Sequence, residues 1–278
     1  MQKLTMPPVE YKVELPQSCG GRLSPTQIDM YLRCPLQYYH RYIEGAKEPP
    51  GVALIEGSSH HAGLEMNNNH KVVAHEDLPI HRIVERFEDE FSTRKKDITD
   101  WQGETAESIV DRGRKIVKTY LNDFAPHLQP ELVEHEFKLK VGAVPVIGYM
   151  DVAGDFSIGD DGPTRKVAID YKVVARAKSA AEVEGSVQLG FYGWGLRDLL
   201  SQKEVGAGFC CLKKTKTPSV EWQPTKITTG RLRWLRHIVT HVAFGIQSGS
   251  FPPCDPCSWC CCPRFCGFYA QCRGKYNV

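Results

Sequence analysis

After an arm of little periodicity (1–23), apolar positions recur at helical spacing to about residue 125 and then switch to alternation. After Ser24-Pro25, an N-cap followed by a proline suited to the first helical turn, Ile28, Tyr31 and Leu32 mark one helical face. Pro35 directly follows Cys34, which predicts a kink or restart there, and LQYYHRYI resumes an aromatic helical face. Residues 53–69 read as a second helix. Residues 80–98 form an amphipathic helix through Ile83, Val84, Phe87 and Phe91, and residues 105–124 another through Ile109, Ile116, Val117, Tyr120 and Phe124.

Period two then takes over. VEHEFKLKV and VPVIGYMDVAGDF read as strands, followed by a turn at 159–162, and KVAIDYKVV reads as a third strand apolar enough to be buried. Residues 180–200 are expected to be one helix despite their glycines, VGAGFCCLKK a fourth strand, and 229–247 a closing helix. The predicted class is α/β, a mixed central sheet flanked by helices. Four regions are expected: an N-terminal arm (1–23), a helical region (24–125), the sheet-bearing core (126–250) and a cysteine-rich tail (251–278).

Composition narrows the setting. The chain has 278 residues, 41% hydrophobic and 24% charged, as in ordinary globular proteins. No apolar run is long enough to span a membrane, and MQKLTMPPVEYKVELPQ lacks the apolar stretch of a signal peptide, so a cytoplasmic setting is expected. The net charge of +2 neither favours nor excludes nucleic acid. Of 11 cysteines, seven lie between Cys254 and Cys272. In a reducing compartment such density points to metal or cluster ligation rather than disulfides.

The strands carry the candidate chemistry. Asp151 in GYMD and Asp170 in IDYK sit near the ends of adjacent strands, and Lys172 shares a strand face with Asp170. An Asp and a Lys two apart on a strand usually form a solvated face. Here they lie inside the apolar VAIDYKVV, where burying charge is costly unless it is paired or binds a metal. Paired carboxylates suit Mg²⁺ or Mn²⁺, and a neighbouring lysine can orient water or stabilise a phosphoryl transition state. Gln188 and Tyr192 share one helical face.

These motifs, in this order, resemble the RecB-like branch of the PD-(D/E)XK nucleases. The matching segments are LSPTQIDMYLRCPLQYYHRYI, EGSSHHAGLE with Gly57, His61 and Glu65, GYMD, IDYK, QLGFY, and SGSFPP followed by cysteines. The resemblance implies a DNA nuclease, an exonuclease more than an endonuclease, serving recombination, repair or phage DNA processing alongside recombination or replication proteins. It implies metal ligation by His61, Asp151, Asp170 and the Tyr171 carbonyl, with Lys172 as the catalytic lysine and Gln188 and Tyr192 beside the site. His60 is the neighbouring alternative to His61.

The resemblance to the AddB type and its CRISPR-associated relatives also implies a [4Fe–4S] cluster held by Cys34 and three tail cysteines. Cys261, Cys266 and Cys272 fit one spacing of the family, with Phe265, Phe268 and Tyr269 shielding the cluster. Cys257, Cys260 and Cys266 fit another. Four local cysteines holding zinc are the alternative.

Tyr38, Tyr39, His40, Arg41 and Tyr42 suit either single-strand contacts or a core helix, and Lys213, Lys214 and Lys216 either phosphate contacts or a solvated turn. A catalytically silent DNA-binding module and a zinc-ribbon interaction protein are the rival readings. No G-x-x-x-x-G-K-[ST] motif is present, so the chain is not itself a helicase.

Overall fold

The computed structural model describes residues 14–17, 20–157, 164–203 and 205–276, so the turn expected at 159–162, Cys19 and most of the N-terminal arm lie outside the described residues. The chain forms two compact units. The larger comprises residues 48–137 and 148–232, and the smaller comprises 1–47, 138–147 and 233–278.

In the larger unit, helix α3 (Val52–Ala74) packs with α4 (Ile80–Arg94) and α5 (Ala106–Asp123). Thr105 begins α5 with a capping box to Ser108. The apolar stripes expected of α4 and α5 are buried through Ile83, Phe87, Phe91, Ile109, Ile116, Val117 and Tyr120. Gly113 permits the close approach, since a Cβ there would stand 2.2 Å from Phe87. Further on, Ile116, Tyr120 and Phe124 join Leu64, Val152, Ile169, Tyr171 and Leu212 in the main core.

The sheet has five strands in the order β1 (Leu128–Val141), β2 (Val144–Phe156), β3 (Arg165–Val174), β4 (Gly206–Lys213) and β5 (Ser219–Lys226). Strands β2 and β3 run antiparallel from Phe156↔Arg165 to Val152↔Ile169. Strands β3 and β4 are parallel, with Asp170 paired to Phe209 and Lys172 to Cys211, and β4 and β5 are antiparallel. A parallel pair needs a crossover, supplied here by α6 (Ala180–Glu184) and α7 (Val187–Leu200).

Two expectations are corrected. Strand β5, SVEWQPTK, was not foreseen, because it is polar and contains Pro224. It is an edge strand, where proline's missing N–H costs no ladder bond. The helix expected over 180–200 is two helices: Gly185 ends the first and Ser186 caps the second, accepting from the Leu189 N–H at 3.2 Å. That restart sets Gln188 and Tyr192 on the opening turns of α7.

A buried charge group ties α3 to α5 and to the turn after β4. Glu56 is 1% exposed and accepts from Arg112 Nε and Lys214 Nζ, each at 2.8 Å. Lys213 pairs with Glu221 at 3.0 Å, so two of the three lysines after β4 are engaged in ion pairs. Burial alone would raise the Glu56 pKa, but Arg112 and Lys214 outweigh it and hold it below the usual carboxylate value. Its stabilisation is therefore present above that range and fades as pH falls through the depressed pKa. Glu56→Ala strips Lys214 of its partner and leaves Arg112 only Glu104, and is expected to cost about 3–5 kcal/mol, read as a large drop in Tm. An unchanged Tm would contradict this.

In the smaller unit, α1 (Pro25–Arg33) opens with a reciprocal capping box between Ser24 and Gln27. The chain restarts after Cys34 as α2 (Pro35–Tyr38), then forms a π-helical turn over Tyr39–Ile43. Gly245 lets α8 (Thr229–Gln247) meet α1, since a Cβ there would stand 2.1 Å from the Tyr31 hydroxyl. That hydroxyl donates to Ser250 O at 2.6 Å. Tyr38 is fully buried and stacks near Phe251, with ring centres 6.3 Å apart, so Tyr38 and the buried His40 belong to the core, while Arg41 is exposed. The chain closes with α9 (Tyr269–Tyr276). Among the described residues no helix is long and apolar enough to cross a membrane.

Candidate active site

The last β2–β3 pair is Val152↔Ile169, and the next step along each strand brings Asp151 and Asp170. Beyond that pair, the Tyr171 N–H is taken by the Asp151 side chain, to Oδ2 at 2.9 Å. The Tyr171 carbonyl lies 3.0 Å from His61 Nε2. One residue of β3 thus bonds Asp151 through its N–H and presents its carbonyl oxygen to the histidine.

The Tyr171 side chain points the other way, into the core. Its hydroxyl lies 2.8 Å from the Tyr120 hydroxyl and accepts from Asn68 Nδ2 at 3.0 Å. This buried network fixes the peptide that carries the carbonyl.

His61 comes from the middle of α3, with Nδ1 3.4 Å from Asp151 Oδ2. His60 faces the core instead, fully buried against Phe87 with ring centres 4.5 Å apart. Burial pulls its pKa down to about 4, so it is neutral near pH 7. The structure therefore brings His61, not His60, to the aspartates.

Asp170 is 1% exposed. Lys172 Nζ stands 2.6 Å from its Oδ2, yet neither carboxylate oxygen accepts a well-aligned hydrogen bond. Burial alone would depress Lys172, but Asp170 and then Asp151 outweigh it, so the ammonium stays protonated. It also lies 5.8 Å from the Phe209 ring centre. Tyr192 donates to Asp151 Oδ1 at 3.3 Å and receives a bond from Gln188 Nε2 at 3.1 Å. Burial, then Asp151 and Asp170, lifts Tyr192 well above the usual phenol value and keeps it a donor.

One site residue was not foreseen. Glu134 on β1 offers a carboxylate oxygen within 4.8 Å of ligand atoms of both His61 and Asp151. Its φ of +46° is left-handed, an uncommon state for glutamate that costs strain and turns its side chain out of the strand's alternation. Regular alternation in VEHEF therefore concealed it. Counting back from Gly142-Ala143 as a two-residue hairpin turn would have paired Glu134 with Asp151 and exposed the signal.

The site resists carrying its full negative charge. Burial, then Asp170, raises the Asp151 pKa to about 6 against the opposing pull of His61 and Lys172. Partial burial, then Asp151, Glu65 and Asp170, raises Glu134 to about 7. Three carboxylates (Asp151, Glu134 and the buried Asp170), an imidazole and a carbonyl form a donor set suited to a hard divalent cation.

The smaller unit gathers cysteines. Cys254 Sγ lies 3.8 Å from Cys260 Sγ, and Cys260 lies 3.9 Å from the Arg33 carbonyl. Burial, then neighbouring Cys34 and Cys260, pushes the Cys254 thiol up. Cys272 is raised by burial and then by Cys34 and Cys261, and Arg273 reaches Cys261 at 3.8 Å. Cys257 is exposed and Cys266 half-buried. Phe268 is buried beside His40, with ring centres 5.1 Å apart, whereas Phe265 is 50% exposed.

A mixed sheet with an aspartate on each of two adjacent strands, a lysine two residues beyond the second, and helices on its flanks defines a nuclease core. The chain belongs to the PD-(D/E)XK nuclease superfamily, whose family model matches residues 22–273. The fold is similar to the crystal structure of a protein from Eubacterium rectale, provisionally named an exonuclease. The TM-score is 0.55 at 14% identity, covering 88% of each chain. No curated protein sequence matches.

Proposed function

We propose that this protein is a divalent-metal-dependent deoxyribonuclease that digests DNA from its ends. The observation that carries this reading is Asp170, a buried carboxylate that is ion-paired with Lys172 but accepts no well-aligned hydrogen bond, beside Asp151 and the His61–Tyr171 carbonyl contact. Lys172 balances one buried carboxylate, but Asp151 and Asp170 together leave an excess of buried negative charge that a divalent cation offsets. His61, Asp151, Asp170 and the Tyr171 carbonyl would hold Mg²⁺ or Mn²⁺, with Glu134 as a further carboxylate. When bound, the ion supplies Lewis acidity toward water and phosphate oxygens.

The remaining work falls to side chains. Lys172, kept protonated by Asp170, orients the attacking water and offers positive charge where the phosphate gathers negative charge. Tyr192 and the Tyr171 N–H hold the two Asp151 oxygens in place, and Gln188 holds Tyr192. The preference for ends rests on the resemblance to RecB-like nucleases and on the name of the Eubacterium rectale protein. Linear DNA is then expected to be degraded while covalently closed circular DNA survives; equal digestion of both would make the enzyme an endonuclease. Glu134→Gln is expected to raise the metal concentration needed for half-maximal activity by about tenfold or more, by analogy with losses on altering groups around metal sites. An unchanged metal titration would remove Glu134 from the set.

The cysteines of the smaller unit would hold a second, structural metal centre. The resemblance supports a [4Fe–4S] cluster on Cys34 with Cys261, Cys266 and Cys272 or with Cys257, Cys260 and Cys266. One distance fits zinc: the 3.8 Å between Cys254 and Cys260 matches the edge of a tetrahedron with Zn–S bonds of about 2.3 Å, although thiols in plain contact stand as close. Iron near four per chain with absorbance near about 400 nm identifies the cluster. Stoichiometric zinc without iron identifies the tetrahedral site. A cytoplasmic role in recombination, repair or phage DNA processing, with partner proteins of those processes, belongs to the same reading.

A further inference from the structure

The smaller unit carries a surface that hydrolysis does not use. Trp259 is 65% exposed and Phe265 50% exposed, in a segment shaped by tight turns in which Cys260 and Phe268 are buried. Backbone bonds from Ser258 to Asp255, Cys261 to Ser258 and Phe265 to Cys262 fix these turns. The Cys262 thiol, 3.6 Å from the Trp259 carbonyl, adds to them. The backbone beneath the rings is anchored while the rings face water. They meet edge to face, with centres 5.4 Å apart.

Two guanidinium groups accompany them. Arg33 lies 6.0 Å from the Trp259 ring centre, and Arg264 lies 5.5 Å from that of Phe265. Arg33 is steadied by two bonds to Gln37 Oε1, at 3.1 and 2.8 Å, which orient the group without neutralising it. Among the described residues, neither arginine pairs with a carboxylate. From Cys254 to Tyr276 the only acidic residue is Asp255, against Arg264, Arg273 and Lys275. Asp255 is exposed and accepts from the Cys257 N–H at 2.7 Å, a local turn bond.

We propose that Trp259 and Phe265 form a stacking platform for unpaired bases of single-stranded DNA, with Arg33 and Arg264 taking the flanking phosphates. Exposed π faces suit bases of any sequence, and uncompensated guanidinium groups suit the phosphates between them. The inference rests on the reading of the protein as a DNA nuclease, for which it names unpaired strands as bound substrate.

The test uses full-length protein with its cysteine-held metal, in the Asp151→Asn background so that bound DNA survives. The probes are a fluorescein-labelled oligothymidylate and an oligonucleotide carrying 2-aminopurine, whose emission falls on stacking. Trp259→Ala and Phe265→Ala are expected to weaken single-strand binding at least about fivefold and to reduce the 2-aminopurine quench. Trp259→Leu and Phe265→Leu, which keep apolar bulk without a π face, are expected to do the same, whereas Trp259→Phe binds nearly as well as the parent. Arg264→Gln is expected to flatten the slope of log affinity against log salt by about 0.7.

Single-strand affinity and quench unchanged in the leucine variants, at parental metal content, would overturn the platform and leave the patch to a protein partner. Failure of the two ideas is distinguishable. Wild-type protein that stacks 2-aminopurine DNA but cuts no DNA keeps the platform and removes the nuclease reading. Wild-type protein that cuts DNA while its leucine variants bind unaltered removes only the platform.

Discussion

Asp170→Asn is expected to lose metal-dependent DNA hydrolysis by about a thousandfold or more, equivalent to about 4 kcal/mol of transition-state stabilisation. The substitution is nearly isosteric and keeps β3 paired with β4 at that position, so the fold should survive. What changes is charge. Asp170 is buried, receives no aligned hydrogen bond, and faces Lys172 at 2.6 Å. An amide offers the cation a weaker ligand and removes the anion that keeps the Lys172 ammonium in place. A second readout separates this from misfolding. A ligand that binds only the native state stabilises it by about 2.7 kcal/mol at a hundred times its Kd. Adding Mn²⁺ should therefore raise the Tm of the wild type and leave that of Asp170→Asn unchanged. An Asp170→Asn protein with wild-type activity and a wild-type Mn²⁺ shift would take Asp170 out of the site.

Cys34→Ser is expected to cost about 3–5 kcal/mol of stability together with loss of the bound metal. Cys34 lies more than 200 residues from the tail cysteines in sequence, yet Cys254 and Cys272 both sense it. A metal bridging such distant positions closes a long loop and restricts the unfolded chain, as a disulfide would. A hydroxyl is a poor ligand for soft metals, so the bridge should open. Equilibrium unfolding of the purified variant, with metal analysis of the same sample, reads both effects. Full metal content and an unaltered unfolding midpoint would show that Cys34 is not a ligand.

Much of the fold was legible because period and burial agree. The stripe on 80–98 and the alternation of VPVIGYMDVAGDF each leave one choice of buried face, and the structure follows both. The polar edge strand β5 was not legible, because one hydrogen-bonded neighbour is enough to hold an edge and little apolar patterning is needed. The pairing of Asp170 with Lys172 could be read from period two. Glu134 could not be read from alternation, since a left-handed residue breaks the rule that places side chains on a strand. The cysteines mark the opposite limit: their density announced ligation, but spacing did not single out Cys254, which only the folded chain brings beside Cys260.

The central claim is metal-dependent DNA hydrolysis at the His61–Asp151–Asp170–Lys172 site. Its most direct test is a time course on 5′- and 3′-labelled single- and double-stranded DNA with Mg²⁺, Mn²⁺ or EDTA, comparing the wild type with Asp151→Asn. Progressive loss of labelled DNA by the wild type is expected with either cation. None is expected in EDTA and none by Asp151→Asn under any condition. Undiminished degradation by purified Asp151→Asn, or by the wild type in EDTA, would contradict the claim.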